Sequence, residues 1–238
     1  MRVVELWRYP VKSLQGERLE SAFVGTAGII GDRQWAIVDL ATGLTLTARR
    51  EPALLFAAAR WAGPDEVVIE LPDGSVAADD AALSAWLGRP VELRRPGESA
   101  TYETVVDFED EAASEWVQWQ GPTWSFHDST RTQVSIVTTG SIGAWDPRRF
   151  RANVVVAADV GDEQGLVGSE VRLGEAVLDV VKTIGRCVVT TRPQPGGIER
   201  DLGVLRTVNA DRDGQLGAGA LVQRPGRVAI DDELTITG

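Results

Sequence analysis

The stretch TIGRCVVTTRPQPGG, residues 183 to 197, holds the only cysteine of the chain, Cys187. A lone cysteine is most often a small buried hydrophobe. Its neighbours argue for a second role: Arg186 stands beside it, Gly185 lets other groups come close, and Thr190 and Thr191 follow. A nearby cation and backbone donors favour the thiolate, the form that ligates metals. One sulfur cannot build a tetrahedral thiolate zinc site or an iron–sulfur cluster, and it excludes an intrachain disulfide. It suits a redox metal whose remaining ligands come from an organic cofactor.

Other short segments place cations and hydroxyls where chemistry could use them. RYPVKS ends a strand at a proline and puts Lys12 and Ser13 in the turn beyond it, GIIGDRQW presents Arg33, and TAR presents Arg49. RRFRAN sets Arg151 and Asn153 at the start of an apolar strand, where a charge entering the interior needs a partner. VTTGS supplies Thr138, Thr139 and Ser141 at a strand end, a composition that can cradle a phosphate and that also occurs in turns without ligands. Singly, each lysine or arginine reads as a surface charge or an ion-pair partner. Jointly they gain weight from the net charge of −11, because an acidic protein that binds an anion must gather its few cations around it. The same charge opposes binding to nucleic acid. The single histidine, His127 in WSFHDST, reads as a hydrogen-bonded strand-end residue rather than a catalytic base. No phosphate-binding glycine loop and no H-E-x-x-H motif occurs.

Most of the chain reads as short strands punctuated by Gly, Pro and Asp: VVELWRYPV, LESAFV, QWAIVDL, LTLTA, EVVIELPDG and VELRR in the first half. Hairpin turns are expected at DLATGLT, at LPDGS and at Leu173–Gly174 within SEVRLGEAVLDVVKTI. Asp79 or Asp80 caps a helix over AALSAWL that Gly88 and Pro90 stop. The acidic segment DFEDEAASEWVQW reads as another helix, and SIGAWD as a short one. QVSIVTTGS and FRANVVVAAD read as strands, and GALVQRPGRVAIDDELTITG as a closing hairpin. Little βαβ alternation is present, so a mainly β, barrel-like α+β architecture is expected, with one β-rich domain over 1–118 and a second over 119–238. The longest apolar run, ALLFAAA at 53–59, is too short to span a bilayer. A cytoplasmic location without membrane attachment is expected.

The order YPVKS, GDR-x-W, T-A-R, F-R-x-N with an apolar run, then R-C-x-x-T-T, resembles the MOSC-domain proteins that carry the MOSC N-terminal domain, among them the mitochondrial amidoxime-reducing components and their bacterial counterparts. The resemblance covers nearly the whole chain from Tyr9. It implies binding of the molybdenum cofactor, a phosphorylated pterin, with Cys187 as the metal's protein ligand and sole catalytic side chain. The cofactor contacts it carries over are Lys12, Ser13, Arg33, Arg49, Thr138, Thr139, Arg151, Asn153 and Arg186; the family is also associated with pyridoxal phosphate. Three departures stand out: Ala152 where F-R-P-N is frequent, QPGG where P-x-T-G is common, and Gly185 in place of a frequent serine. The activity implied is reduction of N-hydroxylated compounds, such as amidoximes or hydroxylamino-purines, with electrons from a separate redox protein. Two rivals are a sulfur-transfer protein bearing a persulfide on Cys187 and a non-catalytic cofactor-binding module.

Overall fold

The structure, a computed structural model, describes residues 1–97 and 100–237. It is mainly β, as the turn-punctuated sequence predicts. In the first half, β1 (Arg2–Arg8) pairs with β2 (Glu17–Leu19), and β3 (Ser21–Gly25) with β4 (Gly28–Ile29). Likewise β5 (Ala36–Asp39), β6 (Ala58–Gly63) and β7 (Glu66–Glu70) precede β8 (Val91–Arg94), with β5 on β8 and β6 on β7. Helix α1 (Asp80–Leu87) forms where expected: the Asp79 carboxylate accepts from the Ala82 N–H, and Gly88 closes it in the left-handed conformation. LTLTA makes only an isolated bridge, Thr45 to Val38, instead of a strand. Its backbone turns at Thr47, whose carbonyl accepts from the Arg50 and Glu51 N–H groups, and this turn delivers Arg49.

The helix expected over residues 107–119 is absent. β9 (Thr101–Val105) and β10 (Trp116–Gln120) form a hairpin, and a loop joins them. Side chains compete there for the backbone donors a helix would need: Asp107 accepts from the Glu109 and Asp110 N–H groups, and Asp110 from that of Ala113. Trp119 packs instead across the hairpin onto Tyr102, with ring centroids 5.3 Å apart.

The second half contributes β11 (Val134–Thr138), β12 (Val154–Ala157), β13 (Glu170–Leu173), β14 (Ala176–Gly185), β15 (Gln215–Arg224), β16 (Gly226–Ala229) and β17 (Leu234–Ile236). An eight-stranded sheet runs β17-β13-β14-β15-β11-β12-β1-β2, so the first two strands of the chain complete a sheet built otherwise from the second half. The β14–β15 pairing slips register at three places, and such bulges increase twist and curl the sheet into a half-barrel. The closing segment is not a hairpin: β16 pairs with β3, and β17 with β13. Pro225, which cannot donate to a ladder, stands where the chain leaves β15.

Alternation along the strands divides the core. Val134 and Ile136, Val154 and Val156, Leu178 and Val180, and Ala218 and Ala220 fill one face. Val137, Val155 and Leu216 face the other way and pack on Val204 and Val208 of α4 (Leu202–Arg212). That helix, capped by the Asp201 carboxylate, is not anticipated by the strand-rich sequence reading. Two single-turn helices, α2 (Thr139–Ile142) and α3 (Asp162–Gly165), flank β12; α2 begins two residues before SIGAWD because Thr138 caps it.

Candidate functional site

Lys12, Ser13, Arg33, Arg49, Arg151, Arg186 and Cys187, drawn from both halves of the chain, line one cavity. Arg149 and Lys182 line it too, making seven cationic side chains against one carboxylate, Asp128, among the described residues. For a chain of net charge −11 this is a strong local inversion. Backbone geometry aims several of these groups. Ser13, Arg33 and Arg151 have φ of 68°, 50° and 51°, a left-handed region that costs a non-glycine residue energy and persists where the surroundings hold it. At the end of β14, the slipped register hands Arg186 and Cys187 into the cavity, and Cys187 precedes the 3₁₀ turn Val188–Thr191.

The cations are fixed by neutral acceptors more than by acids. Arg186 Nε donates to Leu216 O at 2.6 Å and Nη1 to Phe150 O at 2.8 Å, while Arg149 donates to Thr190 O and to Glu199 O. Arg33 pairs with Asp32 and donates to Arg151 O at 2.9 Å. Lys12 Nζ donates to Phe126 O at 2.8 Å and to Asp128 Oδ1 at 2.7 Å, and Arg49 Nη2 to Asp128 Oδ2 at 2.9 Å. The Cys187 sulfur also favours the charged form of Arg49. Two buried donors, Arg49 Nε and Arg186 Nη2, have no partner. Gly217, at φ 98°, makes room for the second, since a Cβ there would sit 2.7 Å from Arg186 Nη2.

Burial pushes Lys12 down to about 8 against the pull of Asp128, and pushes Arg151 and Arg186 down to about 10. Desolvation opposes the ionised form of Asp128, but Arg49 and Lys12 hold its carboxyl well below the usual range. Burial, with Arg33 adding repulsion, holds His127 near 3, so this histidine is neutral. The cavity therefore loses one positive charge as pH rises through about 8. Sulfate, which does not titrate there, is expected to bind several-fold more weakly at pH 9 than at pH 7, and Lys12→Arg should flatten the difference; calorimetric titration at both pH values checks this. The same depression has the opposite sign for folding. Between about 8 and 10.5 the unfolded chain holds the Lys12 proton more tightly, so this group's contribution to stability rises with pH across that window.

Thr138, Thr139 and Asn153 lie outside the cavity lining. Asn153, fully buried, accepts from the Ser135 N–H and hydroxyl and donates to Trp7 O, stitching β12 between β11 and β1. Thr139 donates to Ala158 O. Thr138 caps α2 and donates to Glu163, a carboxylate with no solvent exposure that also accepts from Ser141 Oγ and the Gly217 N–H. Glu163→Ala strands the Ser141 hydroxyl and the Gly217 N–H, while Thr138 can turn to Asp159 O at 2.9 Å, and it is expected to cost about 3 kcal/mol, lowering Tm by roughly 6–12 °C for a chain of this size. An unchanged melting curve would contradict that role. Sequence reasoning missed Asp128, Arg149, Lys182 and Ser135, all of which line the cavity. The RR doublet at 148–149 was a usable signal; Asp128 carried none beyond its place after His127.

No three His, Cys, Asp or Glu side chains gather as a metal cage among the described residues. A metal beside Cys187 would thus draw its other ligands from a non-protein chelate. The donor set fits such a group if it is anionic: one thiol, cations around it, and two buried guanidinium donors awaiting acceptors.

Residues 1–118 match the MOSC N-terminal beta barrel domain, and residues 124–235 match the MOSC domain. The chain belongs to the MOSC-domain proteins. The MOSC domain is a molybdenum-cofactor-binding family. No curated protein sequence matches the chain. Among solved structures it is similar to the YUAD protein of Bacillus subtilis, with 17% identity, 98% of this chain and 93% of that one covered, and a TM-score of 0.43. It is also similar to YiiM of Geobacillus stearothermophilus, with 12% identity, 59% and 73% covered, and a TM-score of 0.37. No described helix of this MOSC protein is long and apolar enough to cross a membrane.

Proposed function

We propose that this MOSC protein is a molybdenum-cofactor-dependent reductase of small N-hydroxylated compounds, acting in the cytoplasm and receiving electrons from a separate redox protein. The observation that carries the reading is the convergence of seven cations from remote segments on the only thiol. The bound cofactor supplies the two-electron chemistry that breaks an N–O bond. The chain's own residues do the rest. Cys187 is the protein ligand to the metal. Arg186 Nη2 and Arg49 Nε, both buried without acceptors, meet the anionic group, and Lys12, Arg33 and Arg151 add charge. Burial brings Lys12 down to about 8, and its Nζ is the group placed to hold a proton for the nitrogen product, with Asp128 orienting it. One cysteine cannot serve both the metal and an iron–sulfur cluster, which supports delivery of the electrons by a separate redox protein.

A sulfur relay on Cys187 has no use for so many cations, which favours the reductase reading. Benzamidoxime with a chemical reductant provides the test. The cofactor-loaded protein is expected to turn it over with the reductant and not with NADH alone. No turnover by protein shown to contain molybdenum would overturn the reading in favour of a non-catalytic carrier.

A further inference from the structure

Arg192 stands directly after R-C-x-x-T-T and lies outside the cavity lining, yet it is only 9% exposed. Its backbone is set locally. The Arg192 N–H donates to Val189 O at 3.2 Å, closing the 3₁₀ turn that follows Cys187. Pro193 favours the extended conformation that Arg192 adopts, with φ −72° and ψ 146°. The Arg192 carbonyl accepts from Arg149 Nη1 at 3.4 Å, and Arg149 lines the cavity.

The side chain reaches the other half of the chain. Arg192 Nη2 donates to Arg49 O at 2.7 Å, across 143 residues of sequence, and pairs with the Glu111 carboxylate from the loop between β9 and β10. Arg49 is a cavity cation that holds Asp128, and its turn is tied down one residue earlier, where the Ala48 N–H donates to Ser13 Oγ at 2.9 Å. One guanidinium therefore joins the turn after the thiol to the turn that carries Arg49. A guanidinium so far removed from water needs a counter-charge, and Glu111 supplies it.

We propose that Arg192 is a positioning residue of the site, clamping the turn that carries Cys187 to the turn that carries Arg49, with Glu111 as the counter-charge that lets it be buried. Where an ion pair meets solvent it contributes little by itself. The bond to Arg49 O is what fixes the spacing of thiol and guanidinium. The proposal rests on the reading above only in taking the cavity as a seat for anions. It also gives the acidic loop after β9 a task that composition alone does not suggest.

The test pairs hydrogen exchange with calorimetric sulfate titration on the purified chain. Arg192→Met with Glu111→Gln removes one charge of each sign, so the local net charge is unchanged and a loss of anion affinity reports geometry. The amides of Ala48, Arg50 and Glu51 and of the 188–192 turn are expected to exchange about tenfold faster or more, while those of α1 stay within about twofold. Sulfate affinity is expected to fall about fivefold or more. Arg192→Lys should restore both properties, because the two acceptors meet a single nitrogen. If the double variant does not fold, Arg192→Gln with Glu111→Gln keeps a polar pair too short to reach Arg49 O and carries the same expectation. Exchange that is unchanged, or that quickens as much in α1 as in the two turns, overturns the proposal. So does a sulfate affinity kept within about twofold of a native chain that binds sulfate. A native chain that binds none sinks the anion-site reading, while faster exchange confined to the two turns still supports this one.

Discussion

Cys187→Ala is expected to abolish reductase activity and metal content while leaving the fold intact. The side chain is half-buried at the start of a 3₁₀ turn and caps nothing, so its loss removes little packing and no backbone partner. Stability should change by less than about 1 kcal/mol, the range of substitutions away from core and cap features. Activity should fall by more than the roughly 10–100-fold that follows loss of an outer-shell group at a metal site, since here the ligand itself is gone. Sulfate binding should persist, because the surrounding cations remain. That combination distinguishes a ligand from a structural thiol. A variant that keeps full activity refutes ligation, and one that melts many degrees lower shows the cysteine to be a core residue.

Arg151 carries the second large effect. It lines the cavity, donates to Leu14 O at 2.7 Å, accepts from Arg33 through its own carbonyl, and covers the Tyr9 ring. Truncating one partner of a desolvated charged contact costs on the order of 2–5 kcal/mol, so Arg151→Ala should weaken anion affinity by roughly 30-fold to several thousand-fold. The backbone adds a separable term. At φ 51° an alanine is strained by about 1–2 kcal/mol, whereas glycine is not. Arg151→Gly should therefore lose the same anion affinity while unfolding at higher denaturant than Arg151→Ala. Equal unfolding midpoints would show that the strain is absent, and unchanged sulfate affinity in both would remove Arg151 from the site.

The parts of the fold that were legible in the sequence are those whose signals are local. Asp79 and Gly88 bracket α1 because a cap and a left-handed stop act within one turn, and Leu173–Gly174 marks the β13–β14 hairpin for the same reason. The segment after Val106 misleads because its acidic residues, placed as in a helix N-terminus, bind their own backbone in turns instead. Helix α4 escapes notice because its buried Val204, Leu205 and Val208 are scattered among Arg, Asn, Asp and Thr, giving no sustained apolar stripe. Pairings such as β1 on β12 or β16 on β3 depend on contacts across most of the chain, and no local pattern announces them.

The site divides in the same way. Cys187 and the cations beside turns could be named as candidates, but only folding brings Lys12, Arg33 and Arg49 of the first half to Arg151 and Arg186 of the second. Thr138 shows the limit of composition: a hydroxyl-rich strand end suits a phosphate or a helix cap equally, and here the hydroxyl serves α2 and Glu163. Nothing local in the sequence marks Gln194 of the QPGG turn as buried with its Nε2 unpartnered.

The most direct test of the account is molybdenum and phosphorus stoichiometry on freshly purified protein from a cofactor-competent host, for the native chain and Cys187→Ala side by side. The account predicts close to one molybdenum per native chain and almost none in the variant. A native chain that binds sulfate in its cavity yet carries no molybdenum, or a variant that retains as much as the native chain, would contradict it.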